Sequence, residues 1–495
     1  MLVRQFSIEG LGHLSTLIAD ESAGLAAIVD PRRDVDIYLQ AAAAGDLVIS
    51  HIFETHLHND YVSGARELAA ITGAVHVIGA GAELAYEHRP VRGGDRIMVG
   101  SLEFTVLDTP GHTPEHVAYA VADTTRADEP LLLFTGGSLL VGAVGRTDLL
   151  RPEDARPYAA AMFRSLHETL LPHEDFVAVY PTHGAGSLCS TGIASTPWST
   201  IGFERRHNRM LQPRDVDAFA RRLLRGQPAV PRYFARMRPL NQRGPRLMGA
   251  APPAARPLDV AETRGAIADG AVVVDLRDAA AHAVEHIPGS FSIPAGSSFG
   301  TWLGWVVDPD RPLVLILDEP SDWDDAIRQS LRIGHESVIG HLRGGVRAWL
   351  EAGEPVASGR RLSVDQLARA VAAGGPESPL VVDVRQTTEF TAGHVPGSWH
   401  IAAGSLMDRL GDLPRGRPIT TICASGYRAS VAASLLAQAG FDDVSSVADG
   451  MIAWSAQGHP VERGAAGAAI PHDEWPDRER PDAIAAAGHD HSHGT

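Results

Sequence analysis

The chain has 495 residues, too many for a single hydrophobic core, and this length corresponds to about three domains of ordinary size. Its formal net charge of −17 is spread along the sequence, which argues against binding to nucleic acid or to an anionic membrane. The two cysteines lie far apart, no apolar run could span a bilayer, and the N-terminus lacks the basic-then-apolar pattern of a leader. These features predict a cytoplasmic protein without disulfides.

The first half of the chain contains short apolar runs that are typical of β-strands. In chain order they read LAAIV, LVISHIF, AVHVI, LEFTVL, VAYAV, LLLF and DFVAVY. Polar loops follow several of these runs directly, and functional side chains commonly lie on such loops. The sequence therefore predicts a strand-rich α/β or α+β domain with its functional groups on the loops.

Three of these loops carry histidines in patterns that suit a metal. They read ETHLHNDY (54–61), TPGHTPEH (109–116) and YPTHG (180–184). Imidazole is a good ligand for both zinc and iron. The predicted ligands are His56, His58 and His112, followed by the weaker candidates Asp60, His116 and His183. The alternative is that these side chains only form local hydrogen bonds.

A Pro/Ala-rich segment near 250–257 marks a domain boundary, and an internal repeat follows it. The stretch VVDLRDAAAHAVEHIPGSFSIPAGS recurs further on as VVDVRQTTEFTAGHVPGSWHIAAGS. Units of this length indicate two tandem α/β domains rather than a solenoid. The predicted domains are residues 1–249, 257–357 and 360–463. They are followed by a disordered tail over 464–495 with the loose metal-binding candidates His489, His491 and His493.

Cys423 is the strongest single signal in the chain. It lies in the stretch ICASGYR (422–428), between an apolar run and a helical pattern. This order places the thiol at a helix N-terminus, among backbone N–H groups and beside Arg428, a setting that lowers the pKa of a thiol. The alternative, a cysteine that serves only as a small buried apolar residue, is less favoured because Gly426 and Arg428 adjoin it.

The pattern VVDVR…GHVPGS…CASGYR…GMIAW resembles the rhodanese family of sulfurtransferases. The resemblance implies that Cys423 carries sulfane sulfur as a persulfide and that Arg428 holds the loop and adds positive potential. Four residues separate Cys423 from Arg428, whereas the related loops of phosphatases and arsenate reductases carry one more. The other residues that the resemblance implies are the sulfur-cradling Ala424, Ser425, Gly426 and Tyr427, the bracing pair Asp383 and Arg385, and a structural His394.

The first repeat lacks the cysteine. It keeps the motif residues Asp275, Arg277, His286, Pro288 and Gly289. Leu317 stands where the cysteine would be, and an apolar side chain cannot act as a nucleophile. The acids that follow it would repel an anionic sulfur species; they are Asp318, Glu319, Asp322, Asp324 and Asp325. We interpret this repeat as a pseudo-rhodanese domain that packs and positions its neighbours.

The histidine loops, in their order, resemble the metallo-β-lactamase fold over about residues 1–235. The resemblance is to its persulfide dioxygenase branch, including enzymes fused to a pseudo-rhodanese and a rhodanese domain. It implies an αββα sandwich and a thiol near the metal site, Cys189. Two departures make the metal site degenerate. Tyr61 replaces the last histidine of the His-x-His-x-Asp-His motif, and Gly137 replaces an aspartate that would complete an iron site. A second acid is missing from the stretch GAVGR (142–146).

These features predict a sulfur-metabolism enzyme with a multidomain α/β fold. The first hypothesis is oxidation of a glutathione-type persulfide to sulfite by the N-terminal domain, coupled to sulfane-sulfur transfer through Cys423. Fe(II) is the expected metal and Zn(II) the alternative. The expected partners are a small persulfide, thiosulfate or sulfite, and the oligomeric state stays open. The alternatives are a sulfurtransferase with a non-catalytic N-terminal scaffold and a zinc thioester hydrolase.

Overall fold

The computed structural model describes residues 1–375 and 377–464, so the predicted tail beyond Gly464, with its three histidines, lies outside the described residues. Within those ranges the chain forms three α/β units in chain order. Among the described helices, none is both long and apolar enough to cross a bilayer.

The first sheet of the N-terminal unit has six strands that lie side by side in chain order. The first three strands are antiparallel and the last four are joined by parallel pairing. The strands are β1 (Leu2–Ile8), β2 (His13–Asp20), β3 (Leu25–Val29), β4 (Val48–Phe53), β5 (Val75–Gly79) and β6 (Arg89–Val91), and helices α1 (Asp36–Ala44) and α2 (Ala65–Thr72) connect the parallel ones. Strands β1 and β2 were not predicted from the sequence, because β1 is largely exposed and polar residues interrupt the apolar pattern of both strands.

The second sheet also has six strands, in the order β14-β13-β10-β9-β8-β7. Its strands are β7 (Arg96–Val99), β8 (Leu102–Asp108), β9 (Val117–Asp123), β10 (Leu132–Gly136), β13 (Ala178–Pro181) and β14 (Ser199–Thr200). A small hairpin of β11 (Leu139–Leu140) and β12 (Ala143–Val144) lies between β10 and β13 in the chain. The helices of this half are α3 (Ala155–Arg164), α4 (Ile201–His207), α5 (Val216–Leu223) and α6 (Phe234–Arg243).

Each sheet has apolar side chains on both faces, which explains why the two sheets stack on each other and why helices cover their outer faces. Phe53 and Phe104, from opposite sheets, stack with their ring centroids 4.3 Å apart inside the sandwich. Residues on the other face of the first sheet pack with Tyr38 of α1, and those of the second sheet pack with Met162 of α3. Because neighbouring strand residues point to opposite faces, each sheet buries both sides. The predicted αββα sandwich is confirmed.

The two repeats have the same five-stranded sheet. The strand orders are β15-β19-β18-β16-β17 and β20-β24-β23-β21-β22, and the strand pairs are parallel. The first repeat contains β15 (Pro257–Leu258), α7 (Val260–Ala268), β16 (Val272–Asp275), α8 (Ala279–Val284), β17 (Phe291–Ser292), α9 (Phe299–Val306), β18 (Leu313–Ile316), α10 (Asp322–Arg332), β19 (Val338–Leu342) and α11 (Gly345–Glu351). The second contains β20 (Arg360–Leu362), α12 (Val364–Ala373), β21 (Leu380–Asp383), α13 (Thr387–Ala392), β22 (Trp399–His400), β23 (Ile419–Ile422), α14 (Tyr427–Gln438), β24 (Val444–Val447) and α15 (Gly450–Ala456).

The three units pack closely against one another. One buried apolar cluster includes Tyr61 of the first unit, Phe299 of the second and Leu406 of the third. Arg332 at the end of α10 donates two hydrogen bonds, of 2.8 and 2.6 Å, to the buried carboxylate of Asp34. The carbonyl of Arg332 also accepts the N–H of Val62 at 2.7 Å. The first repeat is therefore anchored to the loop that carries His56 and His58.

Candidate functional site

Cys423 lies at the carboxyl end of β23, and only 1% of its surface is exposed. The N–H of Gly426 donates a hydrogen bond to its Sγ, with an N–S distance of 3.1 Å. Helix α14 begins at the next residue, so the positive end of the helix dipole faces the sulfur. This arrangement stabilises negative charge on the sulfur or on an atom attached to it.

The shape of this loop depends on its backbone. The carbonyl oxygens of Cys423 and Ala424 accept hydrogen bonds from the N–H groups of Met451 and Ile452 at the start of α15, at 2.8 and 3.1 Å. With these carbonyls bound to α15, the N–H of Gly426 can face Sγ. Gly426 has φ +97°, and a Cβ there would lie 1.9 Å from the carbonyl oxygen of Ala448. Only glycine fits this position without a shift of the backbone.

Arg428 is paired with a carboxylate. Its two terminal nitrogens donate hydrogen bonds of 2.7 Å each to the two oxygens of Glu389. Burial raises the pKa of Glu389, but the hydrogen bonds from Arg428 and from the N–H of Gln386, together with the charge of Arg428, hold this pKa below its usual value. Arg428 therefore fixes the loop to α13, while Glu389 offsets much of the positive potential that the sequence analysis assigned to it.

The other motif residues of this repeat brace the loop. Arg385 donates hydrogen bonds to the buried carboxylate of Asp383 at the end of β21, the shortest at 2.6 Å, and also to the carbonyl of Gly393 at 2.6 Å. His394 stacks on Phe390, with ring centroids 3.7 Å apart, and donates from Nδ1 to its carbonyl. These contacts describe a structural role for His394.

The side chain of Tyr427 points away from its own repeat. Its hydroxyl donates a hydrogen bond of 2.9 Å to the carbonyl of Pro294 in the first repeat. Further along α14, the hydroxyl of Ser434 accepts the N–H of Ser292 at 3.1 Å. The first repeat thus holds the helix that begins at the thiol loop, which agrees with a positioning role for it.

In the N-terminal unit, the histidine loops meet at one edge of the sandwich. His56 and His58 follow β4, His112 lies between β8 and β9, and His183 follows β13. Cys189 joins them, and all five side chains are at most 1% exposed. Two sets have ligand atoms within 4.8 Å of one another, namely His56, His58 and His183, and His112, His183 and Cys189.

Hydrogen bonds fix which ring nitrogen of His56 and His112 carries the proton. Nδ1 of His112 donates to the carbonyl of Arg146 at 2.8 Å. Nδ1 of His56 donates to Thr55 Oγ1 at 2.9 Å, because that hydroxyl itself donates to Asp30. Burial lowers the pKa of His112 to about 3 and that of His56 well below its usual value, so both rings are neutral. Each therefore presents an unprotonated Nε2, the form that binds a metal.

His116 has a different role from its neighbours. Its Nε2 accepts the N–H of Gly137 at 2.9 Å, so Nδ1 carries the proton and donates to Thr109 Oγ1 at 2.8 Å. Both ring nitrogens are therefore engaged with protein groups. The weaker metal candidate His116 is better explained as a structural residue that ties two loops together.

Residues 8–183 match the metallo-beta-lactamase superfamily, and residues 259–352 and 363–457 each match the rhodanese-like domain. Hydroxyacylglutathione hydrolase from Rhodospirillum rubrum is 30% identical over 215 residues, which are 41% of this chain and 83% of that protein. The chain belongs to the metallo-beta-lactamase superfamily. Two rhodanese-like domains follow its metallo-beta-lactamase domain.

Other relatives extend the comparison. Hydroxyacylglutathione hydrolase from Dictyostelium discoideum is 27% identical over 34% of this chain, and the chain spans 62% of that protein's length. The crystal structure of a metallo-beta-lactamase from Staphylococcus aureus subsp. aureus COL superimposes with a TM-score of 0.62 and 31% identity. This superposition covers 69% of this chain and 98% of that one. The family and fold predictions are confirmed.

The metallo-beta-lactamase fold implies a metal, and the histidine cluster fits one. Nε2 of His56, His112 and His183 and both ring nitrogens of His58 are buried without a hydrogen-bond partner among the described residues. Buried nitrogens of this kind are costly unless something binds them. A cation among these rings would satisfy them.

His183 contributes more than the sequence analysis expected. It belongs to both sets of converging ligand atoms, and its Nδ1 lies 3.2 Å from the carboxylate of Asp60. Burial opposes a positive charge on His183, but Cys189 and Asp60 outweigh burial and hold its pKa well above the usual value. The carboxylate of Asp60 thus favours positive charge beside this ring. The sequence placed His183 among the weaker candidates because Tyr61 and Gly137 remove the neighbouring ligands, whereas the structure places its ring within reach of both sets.

The two departures from the family motif have distinct consequences. Tyr61 is fully buried; its ring stacks on His58 and lies tilted against His13, with ring centroids 4.3 and 4.1 Å away. At Gly137, an added Cβ would lie 2.3 Å from Cδ2 of His112. The ring of His112 thus occupies the space that an aspartate side chain would need. A carboxylate at position 137 would fit only if His112, a candidate metal ligand, moved.

Several residues that shape the site were missed by the sequence analysis. Asp30 accepts hydrogen bonds from the N–H and the hydroxyl of Thr55 and from the hydroxyl of Thr182, and it faces Nε2 of His58 at 3.4 Å. Its position immediately after the predicted strand LAAIV was an available signal, since functional groups follow strand ends. The role of Arg146 rests on its backbone, which leaves no trace in the sequence.

Proposed function

We propose that this chain is a sulfur-metabolism enzyme in which sulfane-sulfur transfer through Cys423 is coupled to oxidation of a glutathione-type persulfide by the N-terminal domain. Rhodanese-type domains act on small sulfur compounds such as thiosulfate. The observation that carries the proposal is the hydrogen bond from Gly426 N–H to Cys423 Sγ at the start of α14. It supports a thiolate nucleophile with a ready-made site for a second sulfur.

Transfer at Cys423 follows from this geometry. The thiolate attacks the sulfane sulfur of thiosulfate, the S–S bond breaks, and sulfite leaves with the bonding electron pair. The outer sulfur of the resulting persulfide is anionic and would lie at the start of α14, where the positive end of the helix dipole stabilises it. An acceptor nucleophile, such as a thiolate or sulfite, then takes this sulfur and leaves the Cys423 thiolate free.

In the N-terminal domain, His56, His58, His112 and His183 would hold the metal. When bound, an iron ion supplies a site for a thiolate sulfur and for dioxygen. The protein's own groups position these imidazoles: Thr55 holds the ring of His56, and the carbonyl of Arg146 holds that of His112. The balanced reaction is RSSH + O₂ + H₂O → RSH + SO₃²⁻ + 2H⁺. Its sulfite is an acceptor that suits the persulfide on Cys423.

A zinc-dependent thioester hydrolase is the second candidate for the N-terminal domain. It is favoured by the relatives named hydroxyacylglutathione hydrolase, at 27% and 30% identity. Against it stands Tyr61, which supplies no imidazole for a second metal ion. A third candidate is a scaffold that binds no metal and leaves sulfur transfer as the sole activity.

Metal analysis of the full chain, purified without oxygen from cells supplied with both metals, separates these candidates. Iron together with oxygen uptake and sulfite release on glutathione persulfide supports the dioxygenase. Zinc together with hydrolysis of a glutathione thioester supports the hydrolase. Protein without bound metal that still transfers sulfur supports the scaffold and contradicts the first proposal.

Variants of the candidate metal-ligating histidines test whether these residues bind the metal. His112→Ala and His183→Ala should each lose most of the metal, because each removes a buried nitrogen from a converging set. His173→Ala, a partly exposed histidine bonded to the carbonyl of Leu170, is the matched control and should keep it. Full occupancy in His112→Ala would contradict the assignment, and full occupancy in His183→Ala would restore the ranking derived from the sequence.

A further inference from the structure

We propose that Cys189 is a ligand of the N-terminal metal, together with His112 and His183, and that its thiolate supplies the negative charge that the missing carboxylate at Gly137 would have provided. This inference rests on the proposed metal-binding function of the domain. It adds a residue that lies outside the matched region 8–183.

Cys189 lies close to two of the candidate metal-ligating histidines. The Sγ of Cys189 and the ligand nitrogens of His112 and His183 all lie within 4.8 Å of one another. Cys189 and His183 are fully buried, and His112 is 1% exposed. Nε2 of each histidine has no hydrogen-bond partner among the described residues. Two histidine ligand nitrogens within 4.8 Å of one thiol distinguish this cysteine from one that merely packs in a core.

The backbone of Arg146 holds both His112 and Cys189 in place. Its carbonyl accepts from His112 Nδ1 at 2.8 Å, and its N–H donates to the carbonyl of Cys189 at 2.9 Å. Its guanidinium donates to the carbonyl of Leu188 at 3.2 Å. The N–H of Cys189 in turn donates to Ser187 Oγ at 3.1 Å. The thiol is therefore held beside His112 by bonds on both sides of its own residue.

The charge of a divalent metal also favours a thiolate among its ligands. A divalent metal bound only by neutral imidazoles lacks an anionic ligand in a buried site. The ring of His112 occupies the position that a side chain at residue 137 would take, so this residue supplies no carboxylate. Asp60 faces Nδ1 of His183, an arrangement that orients the ring and leaves Nε2 for a metal. Cys189 then provides the anion, and its binding releases one proton: Cys-SH + M²⁺ → Cys-S–M⁺ + H⁺.

Cobalt provides a test with a readout other than activity. Co(II) is added to the full-length chain after its metal has been removed by chelation, and the near-ultraviolet absorption is recorded. A thiolate ligand gives an intense sulfur-to-cobalt charge-transfer band, whereas nitrogen ligands alone do not. We expect this band in the native chain and in Cys423→Ser, which removes the only other thiol.

Cys189→Ser should abolish the band and weaken Co(II) binding by at least the roughly 10–100-fold that loss of an outer partner causes. Thiosulfate:cyanide transfer through Cys423 should persist in this variant and report that the chain is folded. Co(II) bound by the native chain without the band, or a band that survives in Cys189→Ser, would overturn the role of Cys189 alone. A native chain that binds no Co(II) would overturn the metal site as a whole.

Discussion

The two repeats have the same framework and differ at one loop. In each, an arginine is bonded to an aspartate at the end of the first core strand, with the shortest bonds at 2.7 Å (Arg277–Asp275) and 2.6 Å (Arg385–Asp383). In each, a tryptophan near the end of the repeat donates at 2.8 Å to the carbonyl of a proline six residues later, Trp349 to Pro355 and Trp454 to Pro460. These shared bonds maintain the fold and do not depend on sulfur chemistry.

The difference lies after the third core strand of each repeat. Three residues separate Cys423 from helix α14, whereas four separate Leu317 from α10. In the first repeat, the acids of this region form contacts within their own helix and with the N-terminal unit. Asp322 accepts the N–H of Glu319. Asp324 pairs with Arg328, which also binds Asp36 of the N-terminal unit. One duplicated framework therefore supports a thiol loop in one copy and a docking surface in the other.

Removal of the thiol should have the largest effect. Cys423→Ser replaces a thiolate by a hydroxyl that is nearly isosteric but a far weaker nucleophile at neutral pH, so thiosulfate:cyanide transfer should fall by on the order of 10³-fold or more. The measurement is the steady-state rate, with metal content and thermal unfolding as controls that should stay unchanged. Substantial retained transfer would mean that the two loops do not differ in the way proposed.

A change of loop shape, with the thiol kept, should have the next largest effect. Gly426→Ala places a Cβ at φ +97° and 1.9 Å from the carbonyl of Ala448. The left-handed backbone alone costs about 1–2 kcal/mol, and relief of the clash must move the N–H that faces Sγ. Transfer should fall about tenfold or more, since about 1.4 kcal/mol is a factor of ten. Gly416→Ala, with open space around its Cα, is the matched control; equal rates for the two variants would contradict this prediction.

Restoring a thiol to the first repeat should change little. Leu317→Cys in a Cys423→Ser background gives a cysteine followed by a longer, acidic loop, and nearby carboxylates raise the pKa of a thiol and repel thiosulfate. We expect slow alkylation that speeds up only at alkaline pH, and no sulfur transfer. A fast-reacting thiol at 317 near neutral pH would show that the pseudo-rhodanese loop is competent.

The smallest expected effect concerns the contact between the repeats. Tyr427→Phe removes the hydrogen bond to the carbonyl of Pro294, and a bond of this kind contributes about 1 kcal/mol to stability. Transfer should decrease several-fold because the first turn of α14 loses an anchor. Tyr158→Phe, a partly exposed tyrosine in α3, serves as the control. If both variants match the native rate, the first repeat does not position the thiol loop through this bond.

The sequence was sufficient to predict the repeat, the thiol loop and the histidine loops, because these are contiguous motifs with characteristic spacing. It did not predict the Arg428–Glu389 pair, whose members are 39 residues apart, or the contact of Tyr427 with the first repeat. It also did not show that His183 lies near His56, because that distance depends on how the two sheets stack, or near His112, because that distance depends on the order of strands in the second sheet. Long-range contacts of this kind have no local signal.

Peptide mapping by mass spectrometry, after the full chain reacts with thiosulfate without oxygen, shows directly whether Cys423 carries the transferred sulfur. We expect one added sulfur atom on the peptide that contains Cys423, and its loss when cyanide is added. The peptide around Leu317 should be unmodified. Sulfur found on the peptide of Cys189 and absent from that of Cys423 would rule out Cys423 as the sulfur carrier.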